Sequence, residues 1–475
     1  MINTLNFNYL SADEISKIHR AGVSILARYG IKVDDYEVVR LMEENGCRVS
    51  GGRVLISEEL ITQMQAALPK TLTLSMPYGE SLTLKNGEVF THVGGGVPWV
   101  IDDICGKKRD AVTADLIDAT KLINQLSYIN VHTPPAYITD VDKRVAGLTQ
   151  LAVSLKHSRK PTFAFSSTDV TEAKYSAELF KLLGGTSEKP VGIAIYSVQS
   201  PLYFSKELTD VMKVLIGAGV PACACSAPVA GLTGPMSVAG TVAQQHAEIL
   251  ACAVIAFLIN KKAPVIYCAR AFFANMKSTQ VNLGLPETGI AGAIAVGLAR
   301  HCGFLSDVYG LSSASYTYDS QIGYEKMLNG ILPALCGGNF ISGFGNIGSG
   351  MLQSLAQLVI DDEMFSMISK VIGSVVVDED SLAEHVIGSV VAGEEMFITH
   401  DHTIEFLRAG ELFQPVIGYQ KSITDWLGEG KPDFADRALD RARMLIEKDE
   451  GVQLPRHLHE GIDEILKEAK MELGI

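Results

Sequence analysis

At 475 residues, with 40 Lys and Arg against 54 Asp and Glu, the chain carries a formal charge of −14, which disfavours a nucleic-acid surface and suits a neutral or cationic small ligand. Hydrophobic residues make up 47% and charged residues 20%, enough apolar content for a large core and too much for disorder. The longest nearly apolar run, 249–259, falls short of the ~20 residues a bilayer needs, and Asp13 and Glu14 interrupt what a secretory signal would keep apolar, so a cytoplasmic protein that touches no membrane is expected.

Residues 1–127 read as an α+β subdomain. Ser11 is an N-cap with Glu14 at the third helical position, and Ile15, Ile18, His19, Val23 and Leu26 recur at helical spacing, predicting a helix over 11–29. A second helix over 36–45, a hairpin over 48–56 through Ser50-Gly51-Gly52, a helix over 58–68, and short strands at 72–75, 82–84 and 88–92 around Asn86-Gly87 follow. Gly94-Gly95-Gly96 then leads to Pro98 and Trp99, a loop suited to covering a site. Over 128–375 the pattern changes: short apolar strands at 129–132, 162–165, 192–196, 221–225, 265–268, 307–311 and 339–342 alternate with apolar-periodic helices. Such alternation implies a parallel sheet with crossover helices, and seven or eight units suit a closed TIM-type (β/α)8 barrel better than an open sheet. Residues 376–475 read as a charged helical extension ending in an amphipathic helix over 458–473. The fold class is therefore α/β, a barrel with an N-terminal α+β subdomain and C-terminal helices.

In a barrel, chemistry belongs to the loops that follow the strands. Here those loops are rich in hydroxyls, rings and glycine, with one cation and little acid, a poor kit for hydrolysis and a good one for a bulky ligand held by shape and ring faces. The stretch from Tyr309 to Glu363 concentrates that character. Trp99, Phe272, Phe273, Tyr316, Tyr318 and Phe344 form a cage for a quaternary ammonium or, singly, pack in the core. Arg270 either holds a ligand carboxylate or pairs with a neighbouring acid; Glu287 either acts in catalysis or meets a helix dipole. The eight cysteines contain no CxxC pair and are expected as buried, reduced thiols; zinc at Cys223 and Cys225 lacks a third ligand. His400-Asp401-His402 and His457-Leu458-His459 suit surface or capping roles, so no metal site is expected. Neither a Walker GK[ST] nor a GxGxxG before a helix is present, leaving close approach to a large flat ligand as the use of Gly343, Gly345, Gly348 and Gly350.

Six stretches in fixed order, LSADEISKIHRAGVSILARYGIKVD, GKKRDAVTADLIDATKLI, PVIY, LPETG, YDSQIGYE and QLVIDDEM, resemble the trimethylamine methyltransferase superfamily from about residue 10 to 415. The resemblance implies a TIM-type barrel that passes a methyl group from an amine to the Co(I) of a separate corrinoid (cobalamin) protein, with no tightly bound cofactor of its own. Members acting on trimethylamine carry pyrrolysine just before a D-x-Q-x-G-x-E pattern, here Asp319, Gln321, Gly323 and Glu325; this chain has Tyr316 near that position, which implies a quaternary amine such as glycine betaine, proline betaine or carnitine instead. Where the superfamily often reads S-x-x-x-x-D-M-R, Ala269 and Asn275-Met276-Lys277 stand here, which removes the acid of that motif. The implied roles are Tyr316, Glu287 and Asp319 at the catalytic centre, Trp99, Arg270, Phe272, Phe273, Tyr318 and Phe344 around substrate, and Gly343, Gly345, Gly348 and Gly350 toward the corrin, in a homo-oligomer. Two other readings stay open: a barrel enzyme doing metal or acid–base chemistry on an amine, and a non-catalytic binder of cationic ligands.

Overall fold

Apolar and small residues at every second position give the central strands an inward face, and eight such segments close a ring. The computed structural model describes residues 7–76, 78–102, 106–167, 169–393 and 395–475, so Cys105 lies outside the described residues. Strands Phe90–Val93, Thr162–Phe165, Gly192–Val198, Ala222–Ser226, Val265–Ala269, Leu305–Tyr309 and Phe340–Phe344 form one parallel sheet. Its two edges meet through residues 131–132, where Val131 bridges His92 and His132 bridges Thr162, both in parallel. Single bridges thus supply the eighth stave of the expected barrel.

The first stave was expected in the N-terminal subdomain. Strand Phe90–Val93 instead pairs with Phe340–Phe344, and because a hairpin rather than a crossover helix precedes it, no strand–helix alternation marks it in the sequence. The strand expected over 307–311 runs Leu305–Tyr309, since Gly310 and Leu311 already leave the sheet, and the one expected over 339–342 continues to Phe344.

Inside the ring, Val131, Phe163, Ile193, Cys223, Ile266, Leu305 and Phe340 pack into one apolar cluster with Leu72, Leu74 and Leu84. Those leucines belong to the antiparallel hairpin Thr71–Ser75 and Ser81–Lys85, which plugs the end where the strands begin. Only the opposite end, where the strands finish, is left for a site. The seven described cysteines are buried and free, as apolar surroundings predict. Helix Val238–Ile259 is long and apolar enough to cross a membrane, but 89% of that window is buried inside the protein, and it packs on Ala12–Arg28 and on the barrel strands. At the C-terminal end, Phe434–Lys448 packs on Leu355–Ile372 and Arg456–Glu472 on Val170–Leu182. In the segment between Leu355–Ile372 and Phe434–Lys448, Val375, Val377, Val391 and Ile398 are exposed.

Two helices that flank the last stave share a buried ion pair. Lys326 Nζ, on Ser320–Leu335, lies 2.7 Å from Asp361 Oδ2, on Leu355–Ile372, and neither side chain has any exposed surface. Lys326 also donates to the carbonyls of Leu311 and Gly343, both at 3.2 Å, while Asp361 accepts from Gly345 N–H at 2.7 Å and Gln357 Nε2 at 2.8 Å. Burial pushes the lysine down and the carboxyl up; their attraction and these hydrogen bonds oppose both shifts. Replacing Lys326 by Met leaves a buried carboxylate without its cation and is expected to lower unfolding free energy by about 3–5 kcal/mol, read from urea denaturation.

His132 on the closing stave gives a second expectation. Burial pushes its imidazole down to about 3, with Nε2 against Thr120 Oγ1 at 2.9 Å. The unfolded chain takes up a proton near the usual 6.5 that the folded protein refuses until about 3, so this contribution is full above that upper value and is lost as pH falls through the window. Urea titrations from about pH 7 down to about pH 4 should show the loss, and His132→Gln should flatten it.

Candidate active site

The strand ends enclose a cavity of about 270 Å³ at the open mouth, walled by Gly94–Gly96, Thr133, Gln150, Phe165, Ser197, Arg270, Tyr309 and Ser342. Its floor is polar. Arg270 Nη2 meets Asp307 Oδ2 at 2.5 Å, and Asp307 Oδ1 lies 3.1 Å from His92 Nε2. His92 Nδ1 in turn faces the Val93 carbonyl at 2.8 Å and the Thr133 hydroxyl at 3.1 Å. Burial alone would raise the Asp307 carboxyl, but Arg270 and His92 hold it well below the usual carboxylate range, so it stays charged and committed. Of the two sequence readings of Arg270, the structure shows the pairing with an acid, and it also leaves the guanidinium on the cavity wall.

The rings on this cavity are not the expected set. Tyr309 turns its face to Arg270 at 5.6 Å and meets the half-buried Phe272 edge-on at 5.7 Å, while Asn346 Nδ2 donates to its hydroxyl at 3.0 Å. Phe165 completes the wall. Phe344 is buried against Phe365, 5.7 Å between rings, and Phe273 is likewise in the core. Trp99 lies in a four-stranded sheet beside the mouth, packed toward Ile322, Ile347 and Leu352, with Lys108 Nζ 3.7 Å over its ring. Tyr318 O–H is 2.7 Å from Ser354 Oγ.

The polar tract that follows Leu305–Tyr309 folds onto its own acids. Glu325 Oε2 accepts from Ser313 Oγ at 2.6 Å and Ala314 N–H at 2.8 Å, and Gln321 Nε2 donates to Oε1 at 2.9 Å. Asp319 caps helix Ser320–Leu335 by accepting from Ile322 N–H at 3.0 Å and takes a hydrogen bond from Ser315 Oγ at 3.1 Å. The D-x-Q-x-G-x-E pattern is therefore a brace for residues 312–318. Glu287 sits half-buried in the first turn of Pro286–Cys302, where a carboxylate favours the helix dipole.

That brace presents Tyr316, 65% exposed, above a short hairpin of Asn346–Ile347 and Leu352–Gln353. A Cβ on Gly348 would lie 2.5 Å from the Tyr316 ring, and one on Gly350 3.5 Å from the Tyr309 hydroxyl, so the hairpin spans from Tyr316 to the cavity wall. Gly348 and Ser349 N–H groups donate to the carbonyls of Ser315 and Ser313, at 2.7 and 2.8 Å. Gly343 has φ +111° with its α-carbon against the Leu311 backbone, and only glycine fits there. Of the expected residues, Arg270 lines the cavity, with Phe272 beside it against Tyr309; Tyr316, Gly348 and Gly350 lie along its rim, and the others serve the core, the braces or helix caps. Sequence reasoning missed His92, Gln150 and Asp307, each set between a hydroxyl residue and an apolar one with no local motif; the Gly94–Gly96 run was the one signal nearby.

A family model described as trimethylamine methyltransferase (MTTB) matches residues 2–474. Trimethylamine methyltransferase MttB of Desulfitobacterium hafniense (strain DSM 10664 / DCB-2) is 28% identical over 472 residues, covering 98% of this chain and 94% of that protein. Glycine betaine methyltransferase of Desulfitobacterium hafniense (strain Y51) is 28% identical over 449 residues, covering 93% and 92%. The Methanosarcina barkeri monomethylamine methyltransferase (MtmB) superposes with a TM-score of 0.54 at 13% identity, covering 94% of this chain and 90% of that one, a likeness of fold.

Asp307→Asn removes the charge that balances a buried guanidinium and should cost about 3–5 kcal/mol of stability. Phe272→Ala, at a half-buried ring, should cost about 1–2 kcal/mol. Urea denaturation of both variants checks the order.

Proposed function

The chain belongs to the trimethylamine methyltransferase family, and from that premise we propose that it moves a methyl group from a quaternary amine of the betaine class (glycine betaine, proline betaine, carnitine or similar) to the Co(I) corrinoid of a cognate protein. The observation that carries this reading is a mouth cavity whose wall, among the described residues, has one guanidinium, ring faces and no uncommitted carboxylate. A betaine offers the complement: a carboxylate for the remaining Arg270 N–H groups and a diffuse cation for Tyr309 and Phe165, with Phe272 backing Tyr309. Two further facts support it. All 475 residues are standard, with Tyr316 near the position where trimethylamine-specific members are expected to carry pyrrolysine, and a relative named for glycine betaine aligns over 93% of the chain.

In the reaction the C–N bond breaks with its electron pair left on nitrogen, so a neutral tertiary amine leaves and no proton has to move. The chain's task is to orient one methyl toward the mouth and exclude water. Asp307 fixes the Arg270 fork; Asp319, Glu325 and Glu287 act as braces and caps in this reading, and the Tyr316 rim with Gly348 and Gly350 is the face offered to the corrin, while Gly343 and Gly345 pack behind it against Leu311 and Leu358. The exposed Val375, Val377, Val391 and Ile398 meet a second copy of the chain, which a solution mass of more than one chain would register.

The direct test supplies a reduced corrinoid protein and a panel of betaines. Loss of the Co(I) spectrum with at least one betaine, and none with trimethylamine, is expected; no betaine reacting would sink the reading. Arg270→Lys keeps a cation for Asp307 but loses the planar fork, so KM for the betaine should rise about tenfold to a hundredfold with a much smaller change in kcat.

A further inference from the structure

Away from the barrel mouth, three helices bring nitrogen and sulfur ligands to one point. His19 lies on Ala12–Arg28, His246 on Val238–Ile259 and Cys302 at the end of Pro286–Cys302. One ligand atom of each, His19 Nδ1, His246 Nε2 and Cys302 Sγ, lies within 4.8 Å of the other two. His19 Nδ1 is 2.9 Å from His246 Nε2 and 3.4 Å from Cys302 Sγ. Tetrahedral zinc, with Zn–N of about 2.0–2.1 Å and Zn–S of about 2.3 Å, separates neighbouring ligand atoms by about 3.3–3.6 Å. These two separations are within about half an ångström of that tetrahedral spacing.

The surroundings are those such a site uses. His246 Nδ1 lies 2.9 Å from the Tyr267 hydroxyl, which fixes the ring and leaves Nε2 facing the cluster, as an outer partner does for a ligating histidine. Gly22, one turn beyond His19, lets the first helix approach: a Cβ there would lie 2.7 Å from the His246 ring. His301 meets His19 edge-on at 5.0 Å, and His19 itself is only partly buried. No acid takes part, so nothing in the cluster already neutralises a cation.

We propose that His19, His246 and Cys302 form a structural zinc site that ties the first helix to the barrel's outer layer, with water or His301 in the fourth position. Soft thiolate and imidazole together select zinc over magnesium or calcium. Binding forms a Zn–S bond and releases the thiol proton to solvent, so affinity rises with pH. The site lies apart from the methyl-transfer cavity and does not depend on how that cavity works.

Tag-free protein, dialysed against zinc-containing and then metal-free buffer, should retain one zinc ion per chain. Cobalt(II) in its place should give a thiolate-to-cobalt charge-transfer band together with tetrahedral visible bands. Cys302→Ala should abolish the charge-transfer band and the retained metal, and His19→Gln should weaken binding at least tenfold, with methyl transfer unchanged in both. His246 is fully buried, so the more accessible positions are the ones to vary. Failure to retain stoichiometric zinc, or equal retention by Cys302→Ala, overturns the proposal.

Discussion

The buried pair Lys326–Asp361 is the constraint on which the mouth of this barrel depends. It reaches the Leu311 carbonyl just past one strand and the Gly343 carbonyl and Gly345 N–H at the end of the next, so one pair of charges satisfies backbone groups of two strand ends at once. Burying two ions is expensive, and an apolar pair would pack at least as well. An apolar pair could not meet those three backbone groups, each costly to leave unpaired in the interior. The charges thus fix geometry rather than perform chemistry.

The same use of charge recurs through the site. Asp307 is held between Arg270 and His92, Glu325 between Ser313, Ala314 and Gln321, and Asp319 at a helix start. Each acid near the mouth holds a neighbour in place, which leaves hydroxyls, ring faces and one guanidinium for a ligand. That inventory fits a group transfer in which no proton moves, because such a reaction asks for orientation and a shielded volume, and rigid walls supply both.

Much of the fold was legible because it is written locally. Ser11 and Glu14 form the capping box that their spacing announces, and the helix they start buries Ile15, Ile18, Val23 and Leu26, as its periodicity requires. The barrel followed from alternating strand and helix. The stave Phe90–Val93 escaped because a hairpin precedes it, and its partner lies some 250 residues away, at Phe340–Phe344. Residues 131–132 join the ring by single bridges, too short a segment for a pattern of their own to establish closure.

From the sequence alone came the fold class, the family resemblance and the burial of the seven described cysteines, since each rests on composition, period or motif within a few neighbouring residues. Tertiary structure decided which side chains meet. Arg270 is paired by an acid 37 residues further on, Phe344 turns into the core although it ends a strand, and Cys302 joins His19 and His246 across three helices. Local spacing says which way a side chain points from its own element. What it finds there depends on sheet register and helix packing, which no short window of sequence contains.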